Sequence, residues 1–336
     1  MSATPAKYDV TGIGNAIVDV LANTDQDFPD THNIPRGGMR LIDQDDARTI
    51  LEAMKQTTMI SGGSAANSIA ALASLEGRGG FIGKVAGDAL GDVFRNSLQE
   101  MGVHFPTNPL RDGTETGRCL VAVTPDAERS MATFIGAAEH VSVSDVDSDL
   151  IADSAVTYFE GYLFEQEKPR AAFVKACEIA KQAGRKTAIT LSDRDLAVRQ
   201  RSHLLAFISA HTDIVFANEG EAMALMNTEN FDDALRDIGA LAPYVIVTRS
   251  GDGSLIIDPE MSVHEVAAIA PEILADTTGA GDAYAGGFLF GLSRDMAPEQ
   301  CAIIGGICAA EVISHIGPRP EQSLKQLVAA AGLIEA

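Results

Sequence analysis

The sequence predicts an α/β fold: a mainly parallel sheet with helices on both faces, and a small second β-sheet beside it. Two observations carry this expectation. Strand-like and helix-like stretches alternate along most of the 336 residues, as they do where strands are joined by crossover helices. Between residues 116 and 135 the alternation breaks. There Gly117–Thr124 and Arg129–Ile135 are two strand-like runs joined by the turn sequence Pro125-Asp126-Ala127-Glu128. This hairpin is expected to pair with strands from residues 17–41 and to stand away from the main sheet.

In chain order, Tyr8–Asn15 reads as a core strand ending in a glycine turn, and Ala16–Ala22 follows as a second β-run with no helix between. Gly62–Leu75 is a glycine turn entering a helix, Gly80–Val85 a short buried strand, and Asp88–Met101 has helical periodicity. After residue 150 the pattern gives strands near 155–160, 187–191, 213–217 and 244–248. Helices are expected over 167–183, 219–226, 231–240, 283–292, 297–315 and 321–332. No linker, repeat or low-complexity tract interrupts it.

A hydrophobic share of 46% with 21% charged residues fits a globular chain with a large core. No apolar run approaches the length of a membrane span. Residues 1–9 lack the apolar stretch of a secretion signal, and Cys119, Cys177, Cys301 and Cys308 show no metal-ligand spacing. A cytoplasmic protein with buried thiols is expected. The formal charge of −22 argues against nucleic acid and anionic membranes as partners.

The most informative segment is Asp276-Thr-Thr-Gly279-Ala280-Gly281-Asp282, which runs into the apolar, proline-free stretch Ala283–Leu292. It is expected to follow a strand and to open a helix. A helix start offers N–H groups without intrahelical partners and the positive end of the macrodipole. Small residues let an anion approach those groups, so the turn can cradle a phosphate. A carboxylate beside a phosphate is unfavourable unless it faces another group and takes a proton from it; a hydroxyl about to attack phosphorus is such a group. The plainer alternative is a dipole-stabilised Asp with glycines for packing.

This segment resembles the C-terminal signature of the PfkB/ribokinase family of sugar and nucleoside kinases. Ser61-Gly62-Gly63-Ser64-Ala65-Ala66-Asn67-Ser68 is similar to that family's N-terminal signature, and further matches follow in family order along almost the whole chain. The Gly62–Asn67 version looks closer to adenosine-kinase-like members than to ribokinases proper, which tend to carry a Lys where Ala65 stands. The resemblance implies a ribokinase-like three-layer α/β core as a single domain over 1–336. Its small β-sheet would act as a lid, built from about 16–41 and 114–135.

It also implies roles. Asp282 would be the general base and the amides of Gly279, Ala280 and Gly281 the anion hole. Asn15 and Asp19, poor strand residues placed where the first strand ends, would grip sugar hydroxyls; an ordinary loop is the alternative. Gly62, Gly63 and Asn67 would border the same acceptor, with the two glycines letting it approach the backbone. Glu160 ends a buried strand as either a second sugar-contacting acid or half of an ion pair. Asn218 and Glu221 would organise Mg²⁺ through water, unless they only cap a helix. Thr248, Gly251 and Gly253 would touch the nucleotide, with Ser250 replacing a usual Gly. Arg129 would swing over the transferring phosphate or else lie on the surface. Asp276 would adjoin a monovalent cation such as K⁺. Phe134 and Tyr162 would wall a base or belong to the core.

The expected activity is transfer of the γ-phosphoryl group of ATP, as MgATP, to a primary hydroxyl of a nucleoside, adenosine before others. A free sugar such as ribose or fructose is the alternative acceptor, and a non-catalytic ligand-binding protein on the same fold is the rival from another class. A monomer or a lid-mediated homodimer would fit. A dinucleotide-binding reading of Gly12-x-Gly14 fails at Ile17, and a P-loop reading of Gly83-Lys84 fails at Arg78 and Val85.

Overall fold

The computed structural model describes residues 5–126 and 128–335; the first residues of the N-terminal segment and Ala127 of the hairpin turn lie outside them. Thirteen strands can be named among the described residues. They are β1 Tyr8–Ile13, β2 Ile17–Asn23, β3 Met39–Leu41, β4 Thr58–Ser61, β5 Gly79–Ile82, β6 Gly117–Val123 and β7 Arg129–Phe134. The rest are β8 Ser154–Glu160, β9 Lys186–Thr190, β10 Ile214–Asn218, β11 Tyr244–Thr248, β12 Ser254–Ile257 and β13 Val263–Val266.

The larger sheet has the order β13-β12-β11-β10-β9-β8-β1-β5. Its strands from β5 to β11 run parallel, and β12 and β13 extend it as an antiparallel edge. Period-2 alternation sends Tyr158 of β8 and Ile214 and Phe216 of β10 to one face, where they join Phe288 and Leu72. Phe159, Val215 and Ala217 go to the other face, with Phe173 and Phe207. Both faces are thus covered by helices, which is why these strands read as nearly continuous apolar runs. The fold is a three-layer α/β sandwich.

The smaller sheet has the order β3-β7-β6-β2-β4. The hairpin of β6 and β7 is antiparallel, and each arm takes a parallel partner, β2 and β3 respectively. The expected pairing with residues 17–41 is therefore present, and β4, outside those stretches, adds the other edge. Val18, Val20 and Ala22 of β2 are buried beneath the sheet, where the helices Gln44–Ala53 and Ala89–Glu100 pack. Ile17, Asp19 and Leu21 alternate to the opposite face.

Three expectations need correction. Residues 267–279 carry no strand before the signature helix. Their apolar residues are not core, since Ile273 and Leu274 are 68% and 66% exposed, and Pro271 has no N–H to give a ladder. The segment between β9 and β10 holds two helices, Arg194–Arg199 and Arg201–His211. The first is short and charge-rich, with three charged residues in six. The strand expected at Gly80–Val85 ends at Ile82. Among the described residues, no helix is long and apolar enough to cross a membrane.

Candidate active site

The parallel strands β1, β8, β9, β10 and β11 all end at one side of the larger sheet, and there they deliver Asn15, Glu160, Thr190, Asn218 and Thr248 to a cavity of about 840 Å³. A crevice outside the carboxyl ends of parallel strands is where open α/β folds bind ligands. The far wall is the free face of the smaller sheet: Ile17, Asp19, Leu21, Cys119, Val121, Arg129 and Met131. The floor is the turn Asp276–Asp282.

Gly279 caps the helix Ala280–Leu292 with φ +81°, a conformation that favours glycine. A Cβ there would lie 2.7 Å from Pro318 Cα, so the turn is seated on the following loop. Gly281 has open space where a Cβ would be. Ala280 N–H reaches Thr277 O at 3.3 Å, while the N–H groups of Gly279 and Gly281 have no partner among the described residues. Two amides at this helix start, both on residues that line the cavity, are therefore without a partner among the described residues.

Asp282 sits on the first turn of this helix. Its carboxylate accepts from Ser64 Oγ at 2.6 Å and Asn67 Nδ2 at 3.0 Å, both from the helix Ser64–Ser74. Burial raises its pKa, against the lowering effect of those two hydrogen bonds. An Asp raised in this way holds a proton more readily than an ordinary one.

Asp19 faces the cavity from β2. Burial pushes its pKa to about 7; Arg319 and Arg129 pull it down and Asp282 pushes it up. Gly62 and Gly63 are each packed closely against other parts of the chain. A Cβ at Gly62 would lie 2.7 Å from Asp19 Oδ2, and one at Gly63, whose φ is +90°, only 2.1 Å from Asn15 O. These glycines make room for the protein's own Asp19 and Asn15. Gly62 does not line the cavity, whereas Gly63 and Asn67 do.

Glu160 is neither half of an ion pair among the described residues nor a free acid. It accepts from Asn15 N at 3.1 Å, Asn15 Nδ2 at 2.6 Å and Ala65 N at 3.0 Å, tying the end of β1 to the start of the helix Ser64–Ser74. Burial pushes its pKa to about 7, with the bonds from Ala65 and Asn15 opposing. Asn15 Nδ2 is thereby fixed, and its Oδ1 is left without a partner among the described residues.

Asn218 and Glu221 form a capping box at the start of the helix Glu219–Met226: Asn218 Oδ1 accepts from Glu221 N at 2.8 Å. Both Glu221 oxygens accept from Asn218, from N at 3.0 Å and from Nδ2 at 2.8 Å. Both residues also line the cavity. Burial raises Glu221 to about 7. Thr248 lines the cavity, but Gly251 and Gly253 do not. Gly253 serves its own turn at φ +85°, with Val266 O 2.0 Å from where a Cβ would be, and Gly251 faces open space. Ser250 has φ +50°, which accounts for a glycine being usual at such a place.

Arg129 is paired, not a free surface cation: its Nη1 donates to Asp276 Oδ2. Asp276 also accepts from Thr278 N and Oγ1 at 3.0 and 2.7 Å and from Gly317 N at 3.3 Å. Against burial, which pushes it up, these bonds hold Asp276 below its ordinary pKa. Tyr162 lines the cavity and is 44% exposed. Phe134 does not line it; its ring packs under the Arg118 guanidinium, 5.6 Å away.

The sequence reading missed Arg319. Its Nε donates to Asn67 Oδ1 at 3.3 Å and its Nη1 to Ser97 Oγ at 2.7 Å. Burial lowers its pKa to about 10, with Asp19 opposing. The only hint in the sequence is an arginine held between Pro318 and Pro320.

A free-amide turn beside a buried, hydrogen-bonded carboxylate, facing a second carboxylate across a deep cavity, suits transfer of an anionic group to a hydroxyl. The model of the pfkB family of carbohydrate kinases matches residues 38–324. The chain belongs to this family. As a family member it is a kinase, a phosphotransferase acting on an alcohol group, and the family implies ATP, generally with Mg²⁺. Solved structures agree along the full length. An adenosine kinase from Sinorhizobium meliloti is 44% identical to the kinase, with a TM-score of 0.89 over 97% of this chain and 100% of that one. A probable sugar kinase from Rhizobium etli CFN 42 is 39% identical, with a TM-score of 0.90 over 98% and 100%. The adenosine kinase of Saccharomyces cerevisiae is 26% identical over 327 residues, 91% of this chain and 95% of that one.

Proposed function

We propose that this kinase transfers the γ-phosphoryl group of ATP to the primary hydroxyl of a nucleoside, adenosine first among candidates. The observation that carries the acceptor class is the face of the smaller sheet. One carboxylate, Asp19, and the unpartnered Asn15 Oδ1 stand beside Ile17, Leu21, Val121, Met131 and Tyr162. Two acceptors suit a pair of ribose hydroxyls, and charge-assisted bonds to Asp19 are strong ones. The apolar surface around them suits a flat base better than a free sugar, whose hydroxyls would be left unpaired against it.

In this reading Asp282 takes the proton of the acceptor hydroxyl, and Ser64 and Asn67 aim it. The N–H groups of Gly279 and Gly281 stabilise charge on the transferring group. Arg129, on the smaller sheet acting as a lid, exchanges Asp276 for that charge when the sheet closes.

The cavity is lined with acids, among them Asp19, Asp193, Glu221, Asp276 and Asp282, against Arg129 and Arg199. A polyanionic nucleotide therefore needs a divalent partner, and Mg²⁺ would supply the charge neutralisation. Among the described residues no cluster of three acids, His or Cys could hold a metal, and both Glu221 oxygens are already bonded to Asn218. These residues fit a metal held mainly by phosphates and water, with Glu221 orienting that water. K⁺ near Asp276 would have to share its carboxylate with Arg129, Thr278 and Gly317, and no step depends on it.

The test is a panel of nucleosides and free sugars at fixed MgATP, followed by ADP release. Adenosine should give the highest kcat/KM. A free sugar ahead of every nucleoside overturns the acceptor assignment, and no turnover with any of them overturns the catalytic reading.

A further inference from the structure

Three elements meet behind Asp282. Asn67 donates through Nδ2 to Asp282 Oδ2 at 3.0 Å, and its Oδ1 accepts from Arg319 Nε at 3.3 Å. Arg319 is itself held by Ser97 Oγ at 2.7 Å, on the helix Ala89–Glu100. A carboxylate can only accept and a guanidinium can only donate. Asn67 lies between the two, so its amide has one permitted orientation, with nitrogen toward Asp282 and oxygen toward Arg319. Arg319 itself is not among the residues that line the cavity, so it acts through Asn67. Its loop also seats the catalytic turn, since Pro318 packs against Gly279.

We propose that Arg319 is a positioning residue for the base: anchored on Ser97, it fixes the Asn67 amide so that Asn67 and Ser64 hold the Asp282 carboxylate toward the acceptor hydroxyl. This rests on the reading of Asp282 as the base. Its positive charge also lies near Asp19, together with Arg129 and against Asp282. Lysine could not replace it fully, because one ammonium cannot present the guanidinium's fixed fork to Asn67 and Ser97 together.

A double-mutant cycle decides the matter. Arg319→Gln, Arg319→Lys, Asp282→Asn and the double variant Arg319→Gln/Asp282→Asn are assayed with MgATP and the best acceptor of the panel. Melting curves and ADP binding show that each is folded. Arg319→Gln should lower kcat by about tenfold or more, as misplacing a reacting group costs, with the KM for MgATP within about threefold. Arg319→Lys should recover part of that loss. In the Asp282→Asn background the Arg319→Gln change should cost almost nothing, since there is no base left to aim. In the free protein, the Asn67 side-chain amide protons should exchange with solvent faster in Arg319→Gln than in wild type. An unchanged kcat in Arg319→Gln, or an equal loss with and without Asp282, overturns the proposal. If Asp282→Asn alone turns over like wild type, it is the assignment of the base that falls. Should Arg319→Gln not fold, Ser97→Ala, which only releases the anchor, enters the same cycle with the same expected sign.

Discussion

Arg129 on the hairpin strand β7 forms an ion pair with Asp276 at the start of the turn Asp276–Asp282, 147 residues further along the chain. The pair joins the smaller sheet to the floor of the cavity. The two side chains are only 29% and 9% exposed, but without Arg129 the Asp276 carboxylate would still accept from Thr278 and Gly317, so the pair's main consequence is positional. Arg129→Met should leave the melting temperature within a few degrees and lower kcat/KM by about tenfold or more, since the loss falls on charge stabilisation at the transferring group. A kinetic comparison with Arg129→Lys checks it: equal loss in both points to the fork geometry, recovery in Lys to charge alone.

Asp282→Asn keeps the shape of the side chain and removes the proposed proton acceptor. It should lower kcat by roughly 10²- to 10⁴-fold while calorimetry finds acceptor and nucleotide affinities within a few-fold of wild type. Turnover close to wild type would end the mechanism.

As the proposed grip on the acceptor hydroxyls, Asp19 would bind best when ionised, and burial has raised its pKa to about 7. Acceptor affinity should therefore fall as pH drops through about 7, approaching a tenfold loss per unit well below it. Asp19→Asn should bind weakly with no such slope. Acceptor titrations between pH 5.5 and 8.5, without nucleotide, separate the two.

Glu221 gives a stability prediction with a definite sign. Its folded pKa, near 7, lies above the ordinary 4.5. Between those values the native state holds more protons than the unfolded one, so this group's contribution to stability declines as pH rises from about 4.5 to 7. Glu221→Gln can keep a capping box and removes the titration. Its denaturant midpoint should change less than that of wild type across this window, with the largest relative gain above pH 7.

Two glycines should behave in opposite ways. Gly63→Ala puts a methyl group 2.1 Å from Asn15 O at φ +90° and should destabilise the protein by about 2 kcal/mol or more. Gly281→Ala puts one into open space on a helix, where Ala is preferred by up to about 1 kcal/mol. It should melt no lower than wild type yet lose nucleotide affinity, because the methyl enters the space beside the free amides.

Much of this was legible in the sequence. Buried parallel strands such as Val245-Ile-Val announce themselves by composition, and Asp276–Asp282 reads as a helix start from its glycines. What was hidden depended on long-range contacts. The two uses of Glu160 weighed from sequence were a sugar contact and an ion pair; its three N–H partners come from residues 95 and 145 positions away. The glycines at 62 and 63 looked like a path for a ligand because spacing cannot show that Asp19 and Asn15 already fill that path. Arg319 was missed because in an acidic chain a lone arginine reads as surface. Residues 267–279 misled for the opposite reason, being apolar without being buried.

The alternation along the smaller sheet separates two sets of side chains that share one backbone. Val18, Val20 and Ala22 hold the sheet to its underlying helices, while Ile17, Leu21, Val121 and Met131 alternate to the face that lines the cavity. Exchanging a residue of the second set reshapes the pocket without opening a void in the first, so such changes are cheap in stability. The pocket face can therefore vary in shape and polarity while the layers beneath it and the turn Asp276–Asp282 stay as they are.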